Sequence, residues 1–430
     1  MAECPGVFKL AEARDGGLAR IRVPGGALTA AQLRALAGLA REHGSGFIDL
    51  THRANLQIRG LDPRHTGALA DALRDVGLLA ADPAADRLRN ILASPLSGLD
   101  AAEIIDVRPH VTELDRALQS TFDLRTLSPK FSFVLDGGGV GRVGALAHDV
   151  GFLAEDGPDG VRYRLSLAGW PMTAMISPDD APAAGVALAH TAIRLTSEGA
   201  PRMSAALANR SAAEVLGLAL DHPTSIDVGN ADLPREIADL APVLGPVPER
   251  RGARVAYGLG VPLARLTDET ASALVDLAER FGEGILRLAP WQAVFVTGLP
   301  TGSVDTFRSK ARALELLTEP DDIAVRVVAC SGSTGCLRTN CDTKADGAAV
   351  MAALAQNRPR REGPMTIHLS GCARGCAHPE QSDLLLLGRP DGGYDVFADA
   401  RPSSAEAGQP LAGPVQTDRL ADFVIEFANG

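Results

Sequence analysis

Aromatic side chains are scarce in this 430-residue chain, at 4% of residues with two tryptophans and three tyrosines. Ala, Gly and Leu must carry the cores instead. Positive charge is also short. Lys and Arg number 42 against 53 Asp and Glu, a formal charge of −11. That balance argues against a broad nucleic-acid face or a surface for anionic membranes, while leaving room for a local basic pocket. No stretch reaches the roughly 18 apolar residues that a membrane span requires, and "MAECPGVFKLAEARDGG" has no apolar run of signal-peptide type. A cytoplasmic protein with no membrane or nucleic-acid partner is expected. A nucleotide-binding fingerprint is missing too: "LDGGGVG" (135–141) lacks a following helix start and an acidic partner, and reads as a turn. What remains is ordinary for a globular protein, 46% hydrophobic and 22% charged, and too long for one core. Two or three domains are expected.

Cysteine is rare but unevenly placed. Cys4 stands alone, and Cys330, Cys336, Cys341, Cys372 and Cys376 fall within 47 residues. A reducing compartment disfavours disulfides, and clustering of this kind usually means metal.

The chain also repeats itself. Shifted by 238 positions, "VPGGALTAAQLRALAGLAREHGSGFIDLTHRANLQIRGL" (23–61) falls without a gap on "VPLARLTDETASALVDLAERFGEGILRLAPWQAVFVTGL" (261–299), with 13 of 39 positions identical. Each copy reads strand, helix, strand. Thr29 and Thr267 sit where an N-cap belongs. Leu33, Leu36, Leu39 and Ala40 make a helical stripe matched by Leu274, Leu277, Ala278 and Phe281. Gly44 and Gly46, like Gly282 and Gly284, close the helix. The copies differ in charge: Arg22, Arg53 and Arg59 become Gly260, Trp291 and Thr297. Losing three cations on a shared scaffold suggests that the first copy faces an anion, since the arginine fork matches carboxylates. The segment "APVLGPVPERRG" (241–252) reads as a linker. Beyond each copy come two similar segments, "DRLRNILASPLSG" (86–98) with "LSPKFSFVLDGGG" (127–139), and "RVVACSGSTGC" (326–336) with "MTIHLSGCARGC" (365–376). Only the second pair carries cysteines.

Five residues separate Cys330 from Cys336, and three separate Cys372 from Cys376. Four thiolates at two strand ends suit one iron–sulfur cubane, each sulfur on one iron. Structural zinc is the competing reading, although its knuckles favour gaps of about two to four. Cys341 reads as a spare thiol. No two-histidine, one-carboxylate signature stands out. His52, His148, His368 and His378 are candidates to which no role is given.

"IRVPGG", "THRANLQIRG", "RNILASP", "PKFSF" and the two cysteine pairs together resemble the sirohaem-type nitrite and sulfite reductases over nearly the whole chain. That resemblance implies an α+β, internally duplicated fold. Two ferredoxin-like half-modules would form one domain beside two larger α+β domains. The expected boundaries are 1–75, 76–240, 241–315 (with the linker) and 316–430, the last carrying the cluster. It implies that Arg22, Arg89 and Lys130 line one face of a tetrapyrrole and that Arg53, Gln57 and Arg59 hold its carboxylates. It also implies that Cys330, Cys336, Cys372 and Cys376 bind a [4Fe-4S] cluster, with Cys376 the ligand that bridges to sirohaem iron in the reductases. Within that superfamily, "ECPGVFKLAEARDGGLARIRVPGG" and "SGCARGCAHP" look like the precorrin-3B synthase branch of aerobic cobalamin biosynthesis. The reductases usually have Pro-Asn in the second cysteine loop and a second lysine two residues after the first; here that position is Ser132. The branch implies a monooxygenase acting on precorrin-3A and O2, with a mononuclear non-haem iron and an external electron donor or reductase. Sirohaem is expected only on the alternative reading of a true nitrite or sulfite reductase. An electron carrier without a substrate pocket would leave the missing arginines of the second copy unexplained.

Overall fold

The computed structural model describes residues 5–197, 199–220, 242–321, 326–357, 365–405 and 410–429. Cys4 lies outside them. Thr29 and Thr267 start the helices Ala30–His43 and Asp268–Phe281 in the same way, each hydroxyl accepting from the backbone N–H three residues on, at 3.2 and 3.0 Å. Gly44 and Gly282 end them, donating to the carbonyls of Ala40 and Ala278 at 3.1 Å. A Cβ at either glycine would stand 2.6 Å from the carbonyl oxygen of Arg59 or 2.4 Å from that of Thr297, so a side chain is excluded at both.

The duplication reaches into the backbone. Residues with positive φ recur at the 238-residue offset: Gly25 with Leu263, Gly26 with Ala264, Gly46 with Gly284, Ala54 with Gln292, Gly60 with Gly298, and Gly77 with Glu315. Glycine occupies both members of two of these pairs. Elsewhere the conformation has outlived the residue, and Leu263 holds φ +50° at a steric cost that its surroundings must offset.

Each half-module is an antiparallel five-stranded sheet. The first runs Ala11–Ala13, Gly16–Ile21, Leu56–Leu61, Phe47–Leu50 and then Arg265–Thr267; the second runs Gly245–Pro248, Arg254–Gly260, Ala293–Pro300, Ile285–Ala289 and then Ala27–Thr29. The last strand of each comes from the other copy. Leu266 pairs with Ile48, and Leu28 with Leu286. The two helices pack together, and one core includes Leu33, Leu36, Ala40, Leu274, Val275 and Ala278. Each buried leucine contributes about 1.5–3 kcal/mol. Within the segment expected as a linker, the described residues include the edge strand Gly245–Pro248. Pro246 and Pro248 fit there because an edge leaves one side without ladder hydrogen bonds, so a missing N–H costs little.

The two larger units share one topology. Ile91–Ala93, Phe133–Asp136, Val150–Gly157, Gly160–Leu167 and Trp170–Ile176 pair parallel, parallel, antiparallel, antiparallel. Val327–Ala329, Ile367–Ser370, Ser382–Gly388, Tyr394–Ala400 and Ala412–Val415 do the same. Helices Arg108–Ser120 and Ala181–Leu195 pack in the first, Thr343–Gln356 and Leu420–Asn429 in the second. The fold is α+β and internally duplicated. Among the described residues no helix is long and apolar enough to cross a membrane.

Candidate metal centre and anion face

The two cysteine pairs lie at the carboxyl ends of adjacent parallel strands. Cys330 directly follows Val327–Ala329, and Cys372 stands two residues beyond Ile367–Ser370. The Cys330 amide donates to the Leu369 carbonyl at 3.2 Å, and its sulfur accepts from the Gly371 amide at 3.3 Å. The Thr343 hydroxyl lies 3.4 Å from the same sulfur, and the Arg338 amide donates to the Cys336 sulfur at 3.5 Å. Hydrogen bonds of this kind stabilise thiolates and cluster sulfurs.

The cysteine-free domain shows where this geometry originates. There Ser94 takes the place of Cys330. Its amide donates to the Leu135 carbonyl at 3.2 Å, and its hydroxyl accepts from the Gly137 amide at 3.2 Å. One scaffold carries a hydroxyl in one copy and a thiol in the other.

Cys330, Cys336, Cys341, Cys372 and Cys376 are all free thiols. Cys376 is exposed as a residue, yet its sulfur is enclosed enough that desolvation raises its pKa, and Cys330, Cys372 and Cys336 raise it further. All three thiols are thus near enough to the fourth to act on it electrostatically. That donor set fits a cubane, which spreads four sulfurs over four irons. No three His, Cys, Asp or Glu side chains among the described residues group tightly enough for a single ion. Cys341 is buried and turns away from these four, its thiol donating to the Gly393 carbonyl at 3.2 Å.

Basic groups from the same domain and from the half-modules back this centre. Lys344 donates to the carbonyls of Leu263 and, at 2.9 Å, Ala329; burial pushes its pKa down to about 8 against the pull of Asp49. The left-handed turn at Leu263 thus ends on a buried ammonium. Asp49 is bound by Arg265 of the swapped strand at 2.6 and 2.9 Å.

The sequence-predicted anion face divides into three groups. Arg22, 1% exposed, donates to Asn90 at 3.0 Å and pairs with Asp86 at 3.2 Å. Arg89 grips Asp115 with two nitrogens, at 2.9 and 3.0 Å, and lies 3.7 Å from Asp86. Half-buried Arg53 reaches the backbone carbonyl of exposed Lys130 at 3.4 Å and lines a small cleft with Asn55, Asn90, Leu92 and Ser132. Gln57 pairs across the sheet with Arg20, its amide oxygen accepting at 2.9 Å once the amide is oriented to suit its donors. Arg59 departs from this face and enters the loop between Cys330 and Cys336. Arg20, Asp15 and Lys344 are the site residues the sequence reading missed. Arg20 had a signal, since it alternates with Arg22 along one strand face; Asp15 and Lys344 had none.

The histidines join the two regions. His52 is pushed down to about 3 by burial and then by the charges of Arg53 and Arg20 on the anion face and of His378 beside the second cysteine loop. The His378 ring stands 5.7 Å from that of His368, edge to face. His368 is fully buried, and neither ring nitrogen has a hydrogen-bond partner among the described residues. Its strand neighbours Ile367 and Leu369 enter the main core, so the imidazole points to the opposite face. His148 is satisfied elsewhere, by the Leu146 carbonyl at 2.6 Å and Ser166 at 2.8 Å.

Burial holds His368 down to about 3 from its ordinary 6.5. The unfolded chain therefore binds a proton that the folded chain does not. Stability should fall as pH drops from about 6.5 towards 3, by up to about 1.4 kcal/mol per unit for this group. In His368→Leu that part of the slope should vanish and the metal-free protein should melt higher, because an orphaned buried imidazole costs stability. Melting curves between about pH 7.5 and 4.5 check both; an unchanged slope would exclude His368 as its source.

Comparison with known proteins places these features. A family model described as the nitrite/sulfite reductase ferredoxin-like half domain matches residues 11–76 and again 247–314. One described as the nitrite and sulphite reductase 4Fe-4S domain matches 84–188. That last stretch is cysteine-free; the cysteines occupy the corresponding strand ends of its structural copy. A precorrin-3B synthase from Sinorhizobium sp is 31% identical over 392 residues, covering 90% of this chain and 81% of its own. A ferredoxin–nitrite reductase from Synechococcus elongatus is 29% identical over 440 residues, covering 95% and 85%. The solved structure of the Mycobacterium tuberculosis NirA protein superposes with a TM-score of 0.77 at 22% identity, over 95% of this chain and 79% of that one. That likeness concerns the fold.

Proposed function

This chain belongs to the nitrite and sulfite reductase superfamily, a group of oxidoreductases, and from that premise we propose that it is an oxygen-dependent tetrapyrrole hydroxylase converting precorrin-3A to precorrin-3B. The carrying observation is Ser132. Where the resemblance to the reductases expects a second lysine, the cleft beside Arg53 holds a 5%-exposed hydroxyl whose oxygen has no hydrogen-bond partner among the described residues. Polarising a small inorganic anion benefits from every available cation. A buried neutral hydroxyl suits a different substrate, one supplying its own polar group at that point. The identity to a precorrin-3B synthase over most of both chains supports the same reading.

In the proposed reaction one oxygen atom of O2 hydroxylates the meso carbon between rings A and D, and the ring A acetate closes as a γ-lactone. The other oxygen leaves as water, taking up two electrons and two protons. The electrons come from an external one-electron donor or reductase in the cytoplasm. Arg53 and Lys130 would meet the substrate's carboxylates directly, with Gln57 held by Arg20. Arg22 and Arg89, tied through Asp86, would hold the wall behind them. Cys330, Cys336, Cys372 and Cys376 would hold a [4Fe-4S] cluster, which supplies single-electron transfer when bound. For the mononuclear iron expected by resemblance, the described residues assemble no three-ligand set, and no step is assigned to it.

The test is an iron, sulfide and visible-spectrum measurement on anaerobically purified protein, followed by precorrin-3A and O2. Broad sulfur-to-iron absorption with conversion to a hydroxylated lactone is expected. Bound sirohaem with nitrite or sulfite turnover would establish the alternative, which the identity to a nitrite reductase over nearly the whole chain keeps in view.

A further inference from the structure

The loop between Cys330 and Cys336 is held from outside its own domain. Arg59, 3% exposed, leaves the strand Leu56–Leu61 and donates to the Ser331 hydroxyl at 3.2 Å and to the Gly335 carbonyl. Ser331 directly follows Cys330, and Gly335 directly precedes Cys336. Two of its nitrogens are also gripped by Asp15, at 3.0 and 3.1 Å. The Arg14 amide donates to the same Gly335 carbonyl at 3.4 Å. The fit leaves no slack: a Cβ at Gly335 would stand 2.4 Å from the Arg59 guanidinium. Inside the loop the Cys336 amide donates to the Gly332 carbonyl at 2.8 Å, so fixing Gly335 also fixes the direction of Cys336.

The duplication supplies an internal control. At the position of Arg59 the other half-module has Thr297, whose hydroxyl stays on its own sheet and donates to the Ile285 carbonyl at 3.2 Å. The long cation is present on the strand whose side chain reaches the cysteine loop, and the matching strand of the other copy has threonine in its place.

We propose that Arg59 and Asp15 are a positioning pair for the cysteine loop, setting its shape and the redox potential of the cluster held there, and that Arg59 does not bind substrate carboxylates. The proposal rests on the four-cysteine cluster, and not on which tetrapyrrole is hydroxylated. Its electrostatics follow from burial. Arg59 and Asp15 nearly cancel as seen from the loop, but removing one exposes the other in a low-dielectric setting next to a cluster whose potential depends on nearby charge and hydrogen bonds.

The test is an EPR-monitored redox titration of the anaerobically purified full chain, with iron and sulfide counts, on wild type, Arg59→Met and Asp15→Asn. Arg59→Met leaves a carboxylate facing the loop and should shift the midpoint potential down. Asp15→Asn leaves a bare guanidinium and should shift it up. Precorrin-3A affinity should stay within about twofold of wild type in both. Mere loosening of the loop does not predict shifts of opposite sign. If Arg59→Met fails to fold or load, Asp15→Asn and Arg59→Lys carry the test. The lysine keeps the charge and should restore the potential more than the loading, because it lacks the fork. Loss of tetrapyrrole affinity in Arg59→Met at unchanged potential would overturn the proposal, as would shifts of the same sign in Arg59→Met and Asp15→Asn. Wild-type protein free of iron and sulfide would overturn the cluster itself, which distinguishes that failure from failure of the pair.

Discussion

Cys330→Ser should fold normally and bind no cluster. Most ligand-to-serine changes confound folding with metal loss, but here the chain already contains the product. Ser94 sits at the same strand end in the other copy, accepting from Gly137 at 3.2 Å as Cys330 accepts from Gly371 at 3.3 Å. A hydroxyl therefore suits that corner of the scaffold, and the backbone bond to the neighbouring parallel strand does not involve the side chain. The variant's circular dichroism and metal-free melting temperature should match wild type, within about 1 kcal/mol of stability. Its iron and acid-labile sulfide should fall close to zero, together with the visible absorption and all turnover. Cys341→Ser is the control. That thiol donates to the Gly393 carbonyl at 3.2 Å, away from the other four, so the cluster should survive. A Cys330→Ser protein retaining its full iron content would sink the ligand assignment, and a Cys341→Ser protein without iron would add a ligand to it.

The half-module repeat was legible because its signals are local: a threonine cap, an apolar stripe and a glycine stop at matching positions. The exchange of strands between copies was not. Ala27–Thr29 and Arg265–Thr267 are three residues each, too short for a periodic pattern, and their partners are chosen by the packing of two helices far apart in sequence. Proline density misled in 241–252, because prolines mark edge strands as well as linkers. At the site, cysteine spacing gave the ligand candidates, and the loss of three arginines in the second copy marked the first as cationic. Which way each arginine turns was beyond the sequence. Arg53 and Arg59 lie six apart on one segment, yet one reaches the cleft and the other the cysteine loop. Their partners Lys130, Asp15 and Ser331 come from three distant parts of the chain.

Arg22 and Arg53, both predicted to face the anion, should separate under mutation. Arg22 is a structural cation: its side chain is 0% exposed, that of Asp86 is 3%, and the two join the half-module to the first larger domain. Removing one partner of a buried pair strands the other charge, at a cost of about 3–5 kcal/mol. Arg22→Met should lower the unfolding free energy by that amount, read from the denaturant midpoint and slope, whereas half-buried Arg53→Ala should leave stability within about 1 kcal/mol and weaken tetrapyrrole binding instead. The Arg22 effect should also depend on pH. Burial already pushes the Asp86 carboxyl up, and Arg22 and Arg89 pull it down. Without Arg22 it rises further, so the folded chain holds a proton that the unfolded chain has released, and stability declines as pH climbs through the raised pKa. Arg22→Met should therefore be less destabilising near pH 4 than near pH 8. Adding Asp86→Leu should recover much of the loss and remove the pH dependence, since an apolar pair of similar volume often replaces a buried ion pair at little cost. Arg22→Met with wild-type stability would instead free Arg22 for the substrate, and would move the structural role to Arg89 alone.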